Sequence, residues 1–219
     1  MLKYLRWRYF RIKRGFRRDQ CRAAAEQQFK DAMDNLSHGD IAFDLGANYG
    51  NISRRIAQTG ATVHAYEPDP LTFKKLRENL KEFDNIHFHN SACGDTDGKM
   101  TFYQQIDRFE GNHPRISEGA SIYKQGRHID ASTEQTVPIC DFTRIIKETD
   151  AEIALVKIDI EGAEVPLLEK LFDEGLHNRI KHIFVETHER GFPHLFDRYM
   201  ALRKRIKKNQ IKHINLDWV

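Results

Sequence analysis

Five stretches of this chain set carboxylates or small polar side chains just after short apolar runs. They are Asp44 with the turn Gly46-Ala47-Asn48-Tyr49-Gly50, Glu67 before Pro68, Ser91 through Asp95, Asp159 with Glu161, and Glu186 with His188. Each alone is weak, because an Asp or Ser in such a position is most often a helix cap. Together they have a shared chemistry. A carboxylate ahead of a glycine turn suits a ligand carrying an amine or another cation and is ill matched to a pyrophosphate. A carboxylate after the next strand can accept hydrogen bonds from a ribose diol. A histidine, whose charge changes near neutral pH, can take a proton.

The elements around these residues explain how they could meet. Ile41 to Leu45 reads as a strand, the glycine turn follows, and Asn51, Ile52, Ile56 and Ala57 begin a helical pattern. Further strands are expected at Thr62–Tyr66, Ile86–Asn90, Lys99–Gln104, from Val137, Ile153–Ile158, His182–Val185 and Ile211–Leu216, with helices at 71–82, toward Ile146, from Pro166 to Phe172 and at 194–208. Ile153–Ile158 is apolar apart from Lys157, as a central parallel strand requires. Strands alternating with helices predict an α/β fold, a three-layer α/β/α sandwich on a mostly parallel sheet. In such a sheet the ligand lies beyond the C-terminal strand ends, where strand order reverses, and all five stretches fall at such ends.

The 219 residues suffice for one α/β domain and an appendage. No run of 18 apolar residues is present, and the basic N-terminus lacks the apolar core of a secretory signal. Three isolated cysteines, Cys21, Cys93 and Cys140, form no Cys-x-x-Cys pair, which argues against a disulfide framework or zinc cluster and for a reducing, cytoplasmic setting. Residues 1–22 carry nine Lys or Arg and one acid, a net charge of +8 that leaves −5 for the remainder of a chain whose total is +3. Leu2, Leu5, Tyr9, Ile12 and Phe16 lie on one helical face of that segment. A basic amphipathic arm over residues 1–36 is therefore expected ahead of the catalytic domain at 37–219. The arm suits the anionic inner face of a membrane, as a peripheral contact. It can instead pack on its own domain or on a second subunit of a homo-oligomer.

The turn lacks the central glycine of a dinucleotide fingerprint, since Asn48 stands there, and no Lys-Ser/Thr follows as in a phosphate loop. With Asp44 before the turn, Glu67 placed 23 residues later, and Ser91, Ala92 and Asp95 at the next strand end, the stretch reads as a site for S-adenosylmethionine. Gly46, Ala47, Asn48, Tyr49, Gly50, Asn51 and Pro68 complete the expected cofactor contact. DLGANYGNIS, YEPDP, NSACGDTDG, VKIDIEGAE and IFVETH, in this order over residues 40–190, resemble the FkbM-type methyltransferases, class I enzymes dependent on S-adenosylmethionine. The resemblance implies a Rossmann-like fold, O-methylation of hydroxyls on sugars, glycans, glycolipids or small natural products, and cofactor roles for Asp44, Gly46, Asn48, Gly50, Glu67 and Ser91–Asp95. The chain departs from the pattern in its basic arm and its short C-terminal end, where the usual last antiparallel strand is not expected.

Methylation of a hydroxyl requires that its oxygen be aligned and its proton removed. His188 and Asp159 are the candidates for that base, with Glu161 in the same turn as Asp159. Asp159 can equally cap the following helix or hold the methionine amine of the cofactor. The same three residues offer ligands for a divalent metal, but no spacing demands one. His87 and His89 read as a half-exposed surface pair. The polar stretch 105–136 is the candidate acceptor-binding insertion, with His113, Arg115, Ser121 and Tyr123, beside Arg108, Arg127 and His128, as donors and aromatic surface. Two other classes compete. A nucleic-acid methyltransferase would use the arm on phosphates, but the body is acidic and the Asp/Asn-Pro-Pro-Phe/Tyr amine-methylation motif is absent. A non-catalytic cofactor-binding module would not need the full set of carboxylates.

Overall fold

The computed structural model describes residues 9, 21–102, 134–189 and 192–218. Most of the basic arm lies outside the described residues. So do His113, Arg115, Ser121 and Tyr123, with Arg108, Arg127 and His128.

In chain order the elements are helix α1 (21–34), β1 (Ile41–Leu45), α2 (Asn51–Ala57), β2 (Thr62–Tyr66), α3 (Pro70–Asn79), β3 (Ile86–His89), β4 (Ala92–Gly94) and β5 (Gly98–Phe102). There follow β6 (Gln135–Asp141), α4 (Phe142–Glu148), β7 (Ile153–Ile158), α5 (Glu164–Asp173), β8 (Ile180–Glu186), α6 (Phe196–Lys208) and β9 (Ile214–Trp218). Six strands form one sheet in the order β3-β2-β1-β7-β8-β9, and every described pairing in it is parallel. Edge strand β9 is parallel to β8. From β1 the chain moves outward through β2 to β3, and from β7 it moves the other way through β8 to β9. The switch point is therefore the β1–β7 seam.

Side chains alternate between the two faces of each strand. Ala42, Val63, Ala65, Leu155 and Phe184 face one core, shared with Ala25, Phe29, Met33, Ile56 and Leu76 of α1, α2 and α3. Phe43, Leu45, Val156, Ile158, Ile183 and Val185 face the other, with α4, α5 and α6. Residues 21–34, grouped with the arm on sequence grounds, are thus part of the body. Phe29 is fully buried against Phe184, at 5.0 Å between ring centroids, and against Trp218 at 5.1 Å.

The stretch Ser91–Asp95, expected at the end of the strand before it, contains β4, which pairs parallel with β6 in a separate three-stranded sheet. Strand β5 closes that sheet antiparallel to β6, so that Phe102 and Gln135 are partners on either side of the undescribed insertion. The sheet is tied to α5 by Lys170, which donates to the Asp95 carbonyl at 2.8 Å and to the Asp141 carboxylate at 2.6 Å.

Candidate active site

The turn after β1 is shaped by backbone that few residues adopt. Gly46, Asn48 and Gly50 all have positive φ, of 80°, 51° and 90°. A Cβ on Gly46 would sit 1.9 Å from the Asp159 carbonyl oxygen, so only glycine allows the ends of β1 and β7 to meet here. The turn is pinned on one side by the N–H groups of Gly46 and Ala47, which donate to the Tyr66 carbonyl at 3.0 and 2.8 Å. On the other side the Asp159 N–H donates to the Leu45 carbonyl at 3.0 Å.

Asp44 lies beneath this turn, not on its surface. Its side chain is fully buried; Oδ2 accepts from the Ser53 hydroxyl at 2.6 Å, and Oδ1 lies 3.2 Å from the Lys157 ammonium. Lys157 also donates to the Gly46 carbonyl at 2.6 Å and stands 3.5 Å from Asp159. Burial alone would favour a neutral amine, but Asp44 and Asp159 outweigh it and hold Lys157 above its ordinary pKa. The charge of Asp44 is therefore spent on a cation inside the protein, and Asp44 supports the cofactor turn from below.

Glu67, at the end of β2, faces the turn directly. Its two oxygens accept from the backbone N–H of Asn48 at 2.9 Å and of Asp69 at 3.0 Å. Burial pushes its carboxyl up to about 7. A carboxylate has about four lone-pair sites, so two remain after these amides, the number that a ribose diol would use. Asn90 braces the same corner by donating to the Glu67 and Pro68 carbonyls at 2.9 and 3.2 Å. Tyr49 accepts at its carbonyl from Asn79 at 3.0 Å, while Asn51 is the exposed first residue of α2. Ser91 is half-buried, 3.7 Å from the Cys140 sulfur. These residues fit an S-adenosylmethionine molecule: a glycine turn without bulk, an acceptor pair for hydroxyls, and a small-residue strand end for a base.

Across the seam the turn after β7 carries Asp159 and Glu161. Glu161 has a positive φ of 51° and Gly162 one of 101°. His188, just beyond β8, brings its Nε2 to 3.7 Å from Asp159 and 3.4 Å from Glu161. The three thus meet as candidate proton-transfer groups, with ligand atoms all within 4.8 Å of one another. Its Nδ1 lies 3.0 Å from Glu164. Burial alone would lower the imidazole, but Glu161, Glu164 and Asp159 raise it well above 6.5. Burial pushes the Glu161 carboxyl up to about 8, and burial with the nearby Asp159 charge pushes Glu186 up to about 7. Burial thus carries both carboxyls from the ordinary carboxylate range toward neutral pH.

The sequence of the FkbM methyltransferase domain family matches this chain over residues 44–209, most of its length. The chain belongs to that family. FkbM-family enzymes use S-adenosylmethionine, in keeping with the cofactor corner just described. Over 176 residues the chain is 28% identical to the 31-O-demethyl-FK506 methyltransferase FkbM of Streptomyces tacrolimicus, covering 70% of this chain and 67% of that one. It is 28% identical over 135 residues to the 2-O-methyltransferase NoeI of Sinorhizobium fredii, covering 57% and 54%. It is 25% identical over 162 residues to the hexuronic acid methyltransferase AglP of Haloferax volcanii, covering 71% and 59%. The chain therefore spans a little over half to two thirds of these relatives.

Three contributors to this FkbM-family site escaped sequence reasoning. Lys157 had a signal, since it is the one charge in an otherwise apolar buried strand. Glu164 sat in the quoted motif but reads there as an ordinary first-turn acid. Tyr199, on α6 and 35 residues from Glu164, had none. The stem of the insertion reaches the cofactor corner, where Gln135 Nε2 lies 3.5 Å from Asp69.

Proposed function

We propose that this protein is an S-adenosylmethionine-dependent O-methyltransferase acting on a hydroxyl of a sugar, glycan, glycolipid or related small molecule. The observation that carries the reading is the meeting of Asp159, Glu161 and His188 at the switch point, with the Asp159 carbonyl packed against the cofactor turn at Gly46. Bound at that turn, S-adenosylmethionine supplies a methyl carbon made electrophilic by its sulfonium. The chain's own residues then have distinct tasks. Glu67, oriented by the Asn48 amide, holds the hydroxyl-bearing end of the cofactor. His188 Nε2 removes the acceptor proton, and Asp159 and Glu161 stabilise the imidazolium that results. Insertion residues His113, Arg115, Ser121 and Tyr123 bind the acceptor. The relatives support this class: one is a 2-O-methyltransferase, one a 31-O-demethyl-FK506 methyltransferase and one a hexuronic acid methyltransferase.

The test is transfer of a radiolabelled methyl group from S-adenosylmethionine to cell-envelope glycans and lipids, repeated with His188→Ala. A fall of about 10²-fold or more in turnover, with cofactor affinity retained, is the expected result for loss of a general base; full activity in the variant would remove His188 from the mechanism. Calorimetry that shows binding of a nicotinamide dinucleotide in place of S-adenosylmethionine would overturn the reading altogether. We further propose that the basic residues 1–22 hold the enzyme at an anionic, cytoplasmic membrane face. No described helix is long and apolar enough to cross a membrane.

A further inference from the structure

Glu164 opens α5 with its side chain fully buried. Its Oε1 accepts from the His188 backbone N–H at 3.1 Å, from His188 Nδ1 at 3.0 Å and from the Tyr199 hydroxyl. Its Oε2 accepts from the Gly162 N–H at 2.7 Å. Four donors from α6, the β7–α5 turn and the end of β8 thus converge on one carboxylate. Burial pushes this carboxyl up, but the charge of His188 and the hydrogen bonds from His188 and Tyr199 prevail and keep it below its usual range.

The two ring nitrogens of His188 therefore meet different surroundings. Nδ1 meets an ionised carboxylate with no proton to give, so Nδ1 carries the proton in either charge state of the ring. Nε2 faces the half-buried Asp159 and Glu161. We propose that Glu164 and Tyr199 are a positioning pair that fixes His188 in its Nδ1–H tautomer and aims Nε2 at the acceptor hydroxyl. The proposal rests on the reading of this site as a hydroxyl-methylating one. Both members are fully buried and reach the site through the histidine. Tyr199 ties the arrangement to α6, because its hydroxyl donates to Glu164 and also lies 3.2 Å from the His188 amide nitrogen. The other charges facing the ring are Asp159 and Glu161 from the β7–α5 turn and Glu186 from β8, with Lys157 of β7 behind Asp159.

The pair makes predictions of opposite sign. Glu164→Gln removes the negative charge beside Nδ1, so the His188 titration midpoint falls. Tyr199→Phe removes a donor from Glu164 and makes that carboxylate more basic, so the midpoint rises. A residue that merely braces the fold would move neither. The experiment is ring-nitrogen NMR of the whole protein labelled in histidine, titrated through neutral pH, alongside pH–rate profiles with S-adenosylmethionine and a sugar acceptor. The expected result is an Nδ1–H tautomer in the parent protein and a midpoint at least one unit lower in Glu164→Gln, a tenfold change in the acid constant. The midpoint is higher in Tyr199→Phe, and kcat falls about 10- to 100-fold in Glu164→Gln with KM for S-adenosylmethionine unchanged. Shifts that are absent or of the same sign in both variants overturn the proposal, as do opposite shifts with kcat unmoved. If Glu164→Gln does not fold, a midpoint in Tyr199→Phe that stays put or falls overturns it alone. Opposite shifts in a parent protein that transfers no methyl group to any hydroxyl would instead overturn the methylation reading beneath it.

Discussion

Glu67 is poised between two states in a way that ties cofactor binding to pH. Burial raises its carboxyl to about 7 in the free protein, against an ordinary value of 4.5. The unfolded chain ionises first, so this group withdraws stability as pH rises from about 4.5 to about 7. Hydroxyl donors from a bound ribose would favour the ionised form and return part of that cost. Affinity for S-adenosylmethionine should therefore be greatest above pH 7 and fall as the pH drops below it. Between pH 8 and pH 6 a roughly tenfold weakening is expected, with proton release on binding. Calorimetry in two buffers of different ionisation enthalpy measures both, and Glu67→Gln should flatten the dependence. Equal affinity at the two pH values in the parent protein would place the diol elsewhere. Lys157 shows the complementary case. It is a buried cation between two carboxylates, and removing one partner from such a group commonly costs 3–5 kcal/mol because the remaining charge is stranded. Its place in an apolar strand was legible in the sequence, but its partners were not. Asp44 lies on the neighbouring strand of the seam, and pairing across that seam is set by topology.

At the level of elements, β1 and β7 were readable because each is a largely apolar run ending in polar residues. Helices α3 and α4 are each capped by an Asp. Asp69 accepts from the Leu71 N–H and Asp141 from the Thr143 N–H, at 3.4 and 2.9 Å. Strand β4 was not readable. Three residues with glycine in them have no periodicity, and the strand exists only because Cys93 lines up with Cys140 of β6. Helix α1 was grouped with the arm for a related reason. Phe29, Met33 and Leu36 repeat at helical spacing in either reading, and nothing local says whether that face meets a lipid, a partner or the protein's own sheet. The structure answers with Phe29, which is fully buried against Phe184 and Trp218 under the guanidinium of Arg55 at 5.3 Å. Truncating such a ring typically costs 3–5 kcal/mol. For a domain of this size that corresponds to a melting temperature lower by about 10 °C. Phe29→Ala followed by circular dichroism should show it. A change of less than about 2 °C would mean that α1 is peripheral after all.

For the whole molecule the important asymmetry is electrical. Residues 1–22 carry +8 while the remainder carries −5. The site lies at the β1–β7 switch point, inside the acidic part, and is itself rich in carboxylates. That body is repelled by an anionic membrane, and the arm must overcome the repulsion before adding any net attraction. Each basic residue near such a surface contributes on the order of 1 kcal/mol, so eight or nine of them suffice by a wide margin. Removing residues 1–20 while leaving α1 intact should therefore abolish binding to phosphatidylserine-containing vesicles, not merely weaken it, and turnover of a soluble acceptor should be unchanged. Salt at about 0.5 M should release the 219-residue chain, because the attraction is screened beyond a few ångströms at that strength. Sedimentation with anionic and with neutral vesicles reads both effects. Equal sedimentation of the 219-residue and shortened chains would exclude the arm as a membrane anchor. Release by added RNA from vesicles that salt also clears would turn the argument toward a nucleic-acid partner, because polyphosphate and lipid headgroups compete for the same charge.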